Sequence, residues 1–124
     1  MKRSLVITKL ESVLSTRIKE IYEARLKQPL NSIGYHLFNK TLVIVIEGSV
    51  TQVEQFLNEN ERQQLAQKVR DEIDNLVNSQ IKKTIEEIMD VSVIDFLSDT
   101  TIDSNYSAAI AIFELKTSPS PDNG

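Results

Sequence analysis

The 124-residue chain has no cysteine and no tryptophan, one histidine, three glycines and three prolines. Without cysteine there can be no disulfide and no thiolate metal site, and the sequence suits a reducing compartment. The glycines are Gly34, Gly48 and Gly124, so no glycine-rich loop is available to cradle a phosphate. His36 has no second histidine to share a metal with, and its place in a strand pattern makes it an ordinary strand residue. No apolar run approaches the roughly 18 residues of a membrane span. The basic start, MKRSLVITKLESVL, is broken by Lys9 and Glu11 before a secretory length is reached. A cytoplasmic protein that does not span a membrane is expected, with peripheral association left open.

Charge is unevenly spread. Residues 1–46 hold eight Lys/Arg against three Glu, whereas residues 47–124 hold six against fifteen Asp/Glu, within a net charge of −4. An acidic total argues against nucleic acid as a partner, because phosphate binding needs a neutralising surface. Attraction between the two halves of the fold accounts for the asymmetry.

Apolar spacing gives the elements. Ile7, Leu10, Leu14, Ile18 and Ile21 form one stripe of a helix over about residues 5–26, which Pro29 stops. Residues 32–38 read as a strand, with Ile33, Tyr35 and Leu37 on one face and His36 and Phe38 on the other. Asn39-Lys40 is a two-residue turn, and residues 41–47 form a strand apolar on both faces. After Gly48, Thr51 followed by Glu54 has the form of a capping box opening a short helix. A long helix follows over about residues 61–89. Its apolar residues Leu65, Val69, Ile73, Val77, Ile81, Ile85 and Met89 recur every fourth place. At about 100° per residue such a stripe winds around the helix, which implies two packing surfaces, one of them expected on a second copy of the chain. Residues 91–97 form the third strand, alternating Val91, Val93, Asp95 against Ser92, Ile94, Phe96. Residues 98–105 read as a polar loop and residues 106–115, apolar on both faces, as the fourth strand. KTSPSPDNG, residues 116–124, has the composition of a disordered tail.

The expected fold is therefore a single α+β domain over residues 1–115, in the order αββαββ. Its four-stranded, mainly antiparallel sheet carries two main helices on one face. RIKEIYEARLKQPLNSIGY and QIKKTIEEIMDVSVIDF align through Ile18-Lys19 and Ile81-Lys82, which suggests a duplicated αββ unit. Two helices cover one sheet face, so the other is left for self-association. Val43, Val45, Ile110 and Ile112 on the strands, with Val77 and Ile81 on the long helix, are the candidates for a homodimer contact.

Chemistry is sparse. Asp71, Glu72 and Asp74, like Glu86, Glu87 and Asp90, lie mostly on polar helix faces and read as solvated surface. No serine sits in a nucleophile elbow, and Asp95, Asp99 and Asp103 lack the glycine and glutamate of a calcium loop. No catalytic residue, metal or cofactor is expected. Two readings remain: a non-enzymatic accessory or regulatory protein acting through protein contacts, and a sensor holding a small molecule between sheet and helices. Arg25, Tyr35, His36 and Arg70 are the polar candidates for such a ligand.

Pro29 before the first strand, the apolar strand ending at Gly48, Glu54, Leu57, Arg70 and the terminal AIAIFEL strand together give residues 10–115 a pattern. It resembles the MpsC-like family of small bacterial proteins, associated with a sodium-translocating, membrane-potential-generating system. The resemblance implies an accessory role beside a membrane ion-transport system and assigns no role to Arg70, whose simplest partner is Asp74 one turn on. Leu26-Lys27-Gln28 and Gln52 depart from the family's usual glycine and proline there, at turn or first-turn positions that leave the fold unthreatened.

Overall fold

A computed structural model of the chain describes residues 2–116, with side chains from Thr8 onward. The elements are α1 (Lys2–Leu26), β1 (Ser32–Phe38), β2 (Thr41–Glu47), α2 (Gln52–Glu59), α3 (Gln63–Met89), β3 (Val91–Thr101) and β4 (Tyr106–Leu115). The sheet is wholly antiparallel with strand order β1-β2-β4-β3, so the two hairpins stand side by side and the strands that are apolar on both faces occupy the centre. The tail expected over residues 116–124 lies outside the described residues except for Lys116.

Both long helices stop in the same way. Lys27 and Asp90 take left-handed φ values of 53° and 56°, and each N–H returns to a carbonyl four residues back, Glu23 and Glu86. This is the left-handed helix cap, here without glycine, and at the end of α1 Gln28 N–H adds a second bond to the Tyr22 carbonyl at 3.3 Å. The register that pairs Ile18 with Ile81 also pairs Lys27 with Asp90.

α1 and α3 cover one sheet face. Leu14, Ile18 and Tyr22 from α1 and Val77, Ile81 and Ile85 from α3 meet Leu42, Ile44, Ile46, Ala109, Ala111 and Phe113 from the central strands. Ala109 and Ala111 are small, which lets the helix layer approach the sheet closely.

The winding stripe of α3 has a different cause from the one its spacing suggested. Val77 and Ile81 are 4% and 3% exposed and belong to the protomer's own core, so neither is free for a second copy. α3 does use two surfaces, but both come from its own chain: its first half packs on α2, and its later part on α1 and the sheet. The helix stays unbroken throughout.

Two further expectations change. β3 runs on to Thr101, so only residues 102–105 form the turn. A bulge between Val93 and Asp95 also shifts the alternation. Val91 and Val93 point inward, Ile94 is the extra residue, and from there Phe96 and Thr100 face the helices while Asp95, Leu97 and Asp99 face away. An alternation that looks uniform in sequence cannot reveal the inserted residue.

Replacing Ile81 by alanine should cost about 2–5 kcal/mol of stability by opening a cavity in this core. Val77→Glu with Ile81→Glu should unfold the chain rather than release folded single subunits. Circular dichroism beside light scattering tells the two outcomes apart.

Candidate functional site

The most heavily built polar site lies where β2 turns into α2. Gly48 leaves the strand at φ 95°, and a Cβ there would come within 2.9 Å of Asn31 backbone and side-chain atoms. Asn105, in the β3–β4 turn, fastens the corner: its carbonyl accepts from Gly48 N–H at 3.0 Å and its Oδ1 from Val50 N–H at 2.8 Å. The expected capping box is present. Thr51 Oγ1 accepts from Glu54 N–H at 3.3 Å, and Glu54 Oε1 accepts from Thr51 N–H at 2.9 Å.

The cap has a second purpose that its sequence pattern does not express. Glu54 is fully buried and faces Arg70, which is also fully buried. Arg70 Nε donates to Glu54 Oε2 at 2.6 Å and Nη2 to Oε1 at 2.7 Å, a two-pronged charge-assisted pair. Nη2 also donates to Ser49 O at 3.0 Å and Nη1 to Asp74 Oδ1 at 3.1 Å. Thr100 donates to Asp74 Oδ2 at 3.3 Å and shares a 2.7 Å hydroxyl contact with Ser107, which in turn meets Ser49 at 2.6 Å. One network thus ties α2, α3, β3, β4 and the corner together. Among the described residues no buried side-chain nitrogen or oxygen lacks a partner.

The electrostatics follow from this packing. Burial works against the Glu54 carboxylate, yet the bonds from Arg70 and Thr51 outweigh it and hold its pKa below the usual value. Burial likewise opposes charge on Arg70, and Glu54 more than compensates, so its pKa is raised. Asp74 behaves differently: burial pushes its carboxyl up despite Arg70 and Thr100. Burial also pushes the Tyr22 hydroxyl up to about 12 from 10.0, with Arg70 pulling the other way.

Of the residues singled out in sequence, Arg70 becomes the hub of this network, and the Arg70–Asp74 pair exists. Its Arg70 end is buried and its Asp74 end half-buried, where a surface pair was expected. The four ligand candidates do not converge. Arg25 is exposed in an α1–α3 groove floored by Ile21, Ala24 and Thr84. Tyr35 is half-buried with its hydroxyl 3.0 Å from Ser15 Oγ, and burial raises its pKa. His36 is exposed on the opposite sheet face. Among the described residues no group of three or more His, Asp or Glu is placed to hold a metal ion.

That opposite face is the second feature. Val43, Val45, Ile110 and Ile112, the strand residues expected at a contact, all lie on it, joined by Phe38 and Leu97. Val45, Ile110 and Ile112 remain 39%, 39% and 37% exposed at the centre of the sheet, where strand neighbours already shield them. Among the described residues nothing covers them.

The sequence profile of the family described as "Na+-translocating membrane potential-generating system (MpsC)" matches residues 7–115. The chain belongs to the MpsC family. No curated protein and no solved structure matches it. Pro29, Gly48, Glu54, Leu57 and Arg70, which carry the MpsC pattern in sequence, lie around one corner of this fold, and Glu54 and Arg70 form its central ion pair. No described helix of this MpsC chain is long and apolar enough to cross a membrane.

The missed signal was Arg70's phase. It falls on the same side of α3 as Val77, Ile81 and Ile88 at 100° per residue. A cation in line with core residues requires a buried carboxylate, and Glu54, one short helix earlier, supplies it.

Two predictions follow from the network's charges. Glu54→Gln leaves the buried guanidinium facing a neutral amide and should cost about 3–5 kcal/mol at pH 7. Asp74→Asn, which removes a carboxylate that burial already disfavours, should cost less than half as much. Urea titrations of both variants check the order. The native contribution of Glu54 is present above its unfolded pKa near 4.5 and is lost as pH falls through the lower folded value.

At the alkaline end the sign is reversed. Tyr22 ionises near 10.0 when unfolded but near 12 when folded, so its contribution holds below pH 10 and is lost as pH rises to 12, about 3 kcal/mol in all. Tyr22→Phe should flatten that limb in denaturation curves measured between these values.

Proposed function

We propose that this chain is a non-enzymatic accessory protein that acts through protein contacts made by its uncovered sheet face, in the service of a membrane ion-transport system. The observation that carries this reading is the face itself: central, apolar and exposed, on a protein whose buried side-chain polar atoms all have partners among the described residues. Contiguous apolar surface of this kind is the usual mark of an interaction site. The MpsC family description supplies the link to a membrane system, and a cytoplasmic position at the membrane's edge suits a chain without a spanning helix among its described residues.

The buried Arg70–Glu54 pair supports the non-catalytic reading, because Arg70 makes four hydrogen bonds within the protein and stands away from solvent. A duplicated αββ ancestor suits the matching helix ends at Lys27 and Asp90 and the paired central strands β2 and β4. In such an ancestor two hairpins would have joined through the strands that are now covered on both edges.

A photoreactive residue at position 45, compared with one at Glu20 on the outer side of α1, tests the proposal. In cells making the full chain, position 45 should cross-link to another protein chain, a membrane component or a second copy of this one, and position 20 should not. Equal labelling from both sites, or none from either, would overturn it.

A further inference from the structure

The geometry points to a second copy of this chain as an occupant of the open sheet face, seated about a two-fold axis parallel to the strands so that β1 of each copy lies over β3 of the other. The inference rests on the reading that this face is the contact surface, and adds what sits on it and in which orientation.

The register fixes which residues stand in each row across the face. One row runs His36, Val43, Ile110, Leu97; the next on one side runs Gly34, Val45, Ala108, Asp99. On the other side stand Phe38, Thr41, Ile112 and Asp95, and beyond them Ser92 pairs with Glu114 near the Asn39-Lys40 turn. At the far end the row is Ser32, Glu47, Tyr106, Thr101. The middle of the face is thus aliphatic while its two edges differ. The β3 edge carries Asp95 and Asp99, with Glu114 beside it, and the β1 edge carries His36, with Lys40 at its turn.

A face with acid on one edge and a donor and a cation on the other is self-complementary under only one kind of face-to-face two-fold. An axis parallel to the strands exchanges the edges. His36 of one copy then comes over the β3 edge of the other, between Asp95 and Asp99, and Lys40 comes toward Glu114. Val43 meets Ile110, Val45 meets Ala108, and the Glu47 carboxylate comes over the Tyr106 hydroxyl. An axis across the strands would instead lay β3 on β3 and gather the Asp95 and Asp99 carboxylates of both copies along one line. Opposite charges steer a contact, and like charges set face to face cost affinity.

The size is adequate. Four strands about 4.8 Å apart and seven residues long at about 3.4 Å each give a footprint of about 450 Å². Side-chain relief raises the accessible area toward the roughly 800 Å² per partner of a standard interface. Two sheets stacked in this way, with strand directions within about 30°, form the aligned sandwich in which apolar faces commonly bury one another.

Sedimentation of the full chain at about 50 µM, far above a micromolar Kd, should give twice the 14.1 kDa chain mass. Ile110→Glu should give the single-chain mass with an unchanged circular dichroism spectrum. His36→Asp should weaken pairing at least about tenfold, a change of about 1.4 kcal/mol, and so should Asp95→Lys with Asp99→Lys. Combining all three in one chain should restore pairing, because the exchanged edges regain opposite charge. A native chain that is single at this concentration, an Ile110→Glu chain that still pairs, or a triple variant that fails to recover would each overturn the inference. If the native chain is single while the position-45 cross-link to a membrane component persists, self-pairing fails and the proposed function stands. Loss of both removes the proposed function as well.

Discussion

The Arg70–Glu54 pair is the constraint around which this protein is arranged. Two opposite charges held at 2.6 and 2.7 Å with no exposure are tolerable only when every remaining lone pair and proton is matched. That requirement sets the form of the corner. Ser49 must present its carbonyl to the guanidinium and Thr51 must present N–H and hydroxyl to the carboxylate. Asp74 must reach across from the next turn of α3 while Thr100 holds its other oxygen. Gly48 and Asn105 set the backbone that makes these approaches possible. A buried pair of this kind adds less to stability than an apolar replacement of equal shape often would, but it permits very few alternative arrangements of α2 on α3.

Much of the architecture was legible in the sequence because it rests on local periodicity. The bounds of β1 agree with its apolar alternation and those of β2 and β4 with their continuous apolar runs, and the Thr51–Glu54 cap marks the start of α2. What escaped involves partners distant in sequence. The bulge at Ile94 is invisible in the strand's own residues, since its effect appears only in the pairing with Phe113 and Ile112. Val77 and Ile81 seemed available for a neighbour because a four-residue stripe drifts. The drift is absorbed inside one chain by α2 at one end and by the sheet at the other. Arg70 was read at the surface because a helix wheel centred on Leu65 and Val69 puts it beside the stripe; recentred on Ile81, the same wheel puts it in the core.

The candidate site was legible in part for the same reason. Val43, Val45, Ile110 and Ile112 lie on the open face because a central strand that is apolar on both sides must show one side to something other than its own helices. Arg25, Tyr35, His36 and Arg70 were grouped by chemical type, and the fold distributes them over a groove, a half-buried strand position, the outer face and the interior. Residue type indicates what a side chain can do, while strand phase and helix phase decide whether it meets another.

The strand order β1-β2-β4-β3 bears on how the protein is made. The central position beside β2 is filled by β4, the last strand of the described chain to leave the ribosome. Until it arrives, β2 has one free edge and carries Leu42-Val43-Ile44-Val45-Ile46 with no partner on that side, a segment of the composition that aggregates when a nascent chain waits. The separation in sequence between β2 and β4 makes their closure a slow, non-local event. A cell making this protein therefore has a brief population of half-formed sheets to shield, and a rare codon or pause anywhere between β2 and β4 would lengthen that exposure, whereas one before β2 would not.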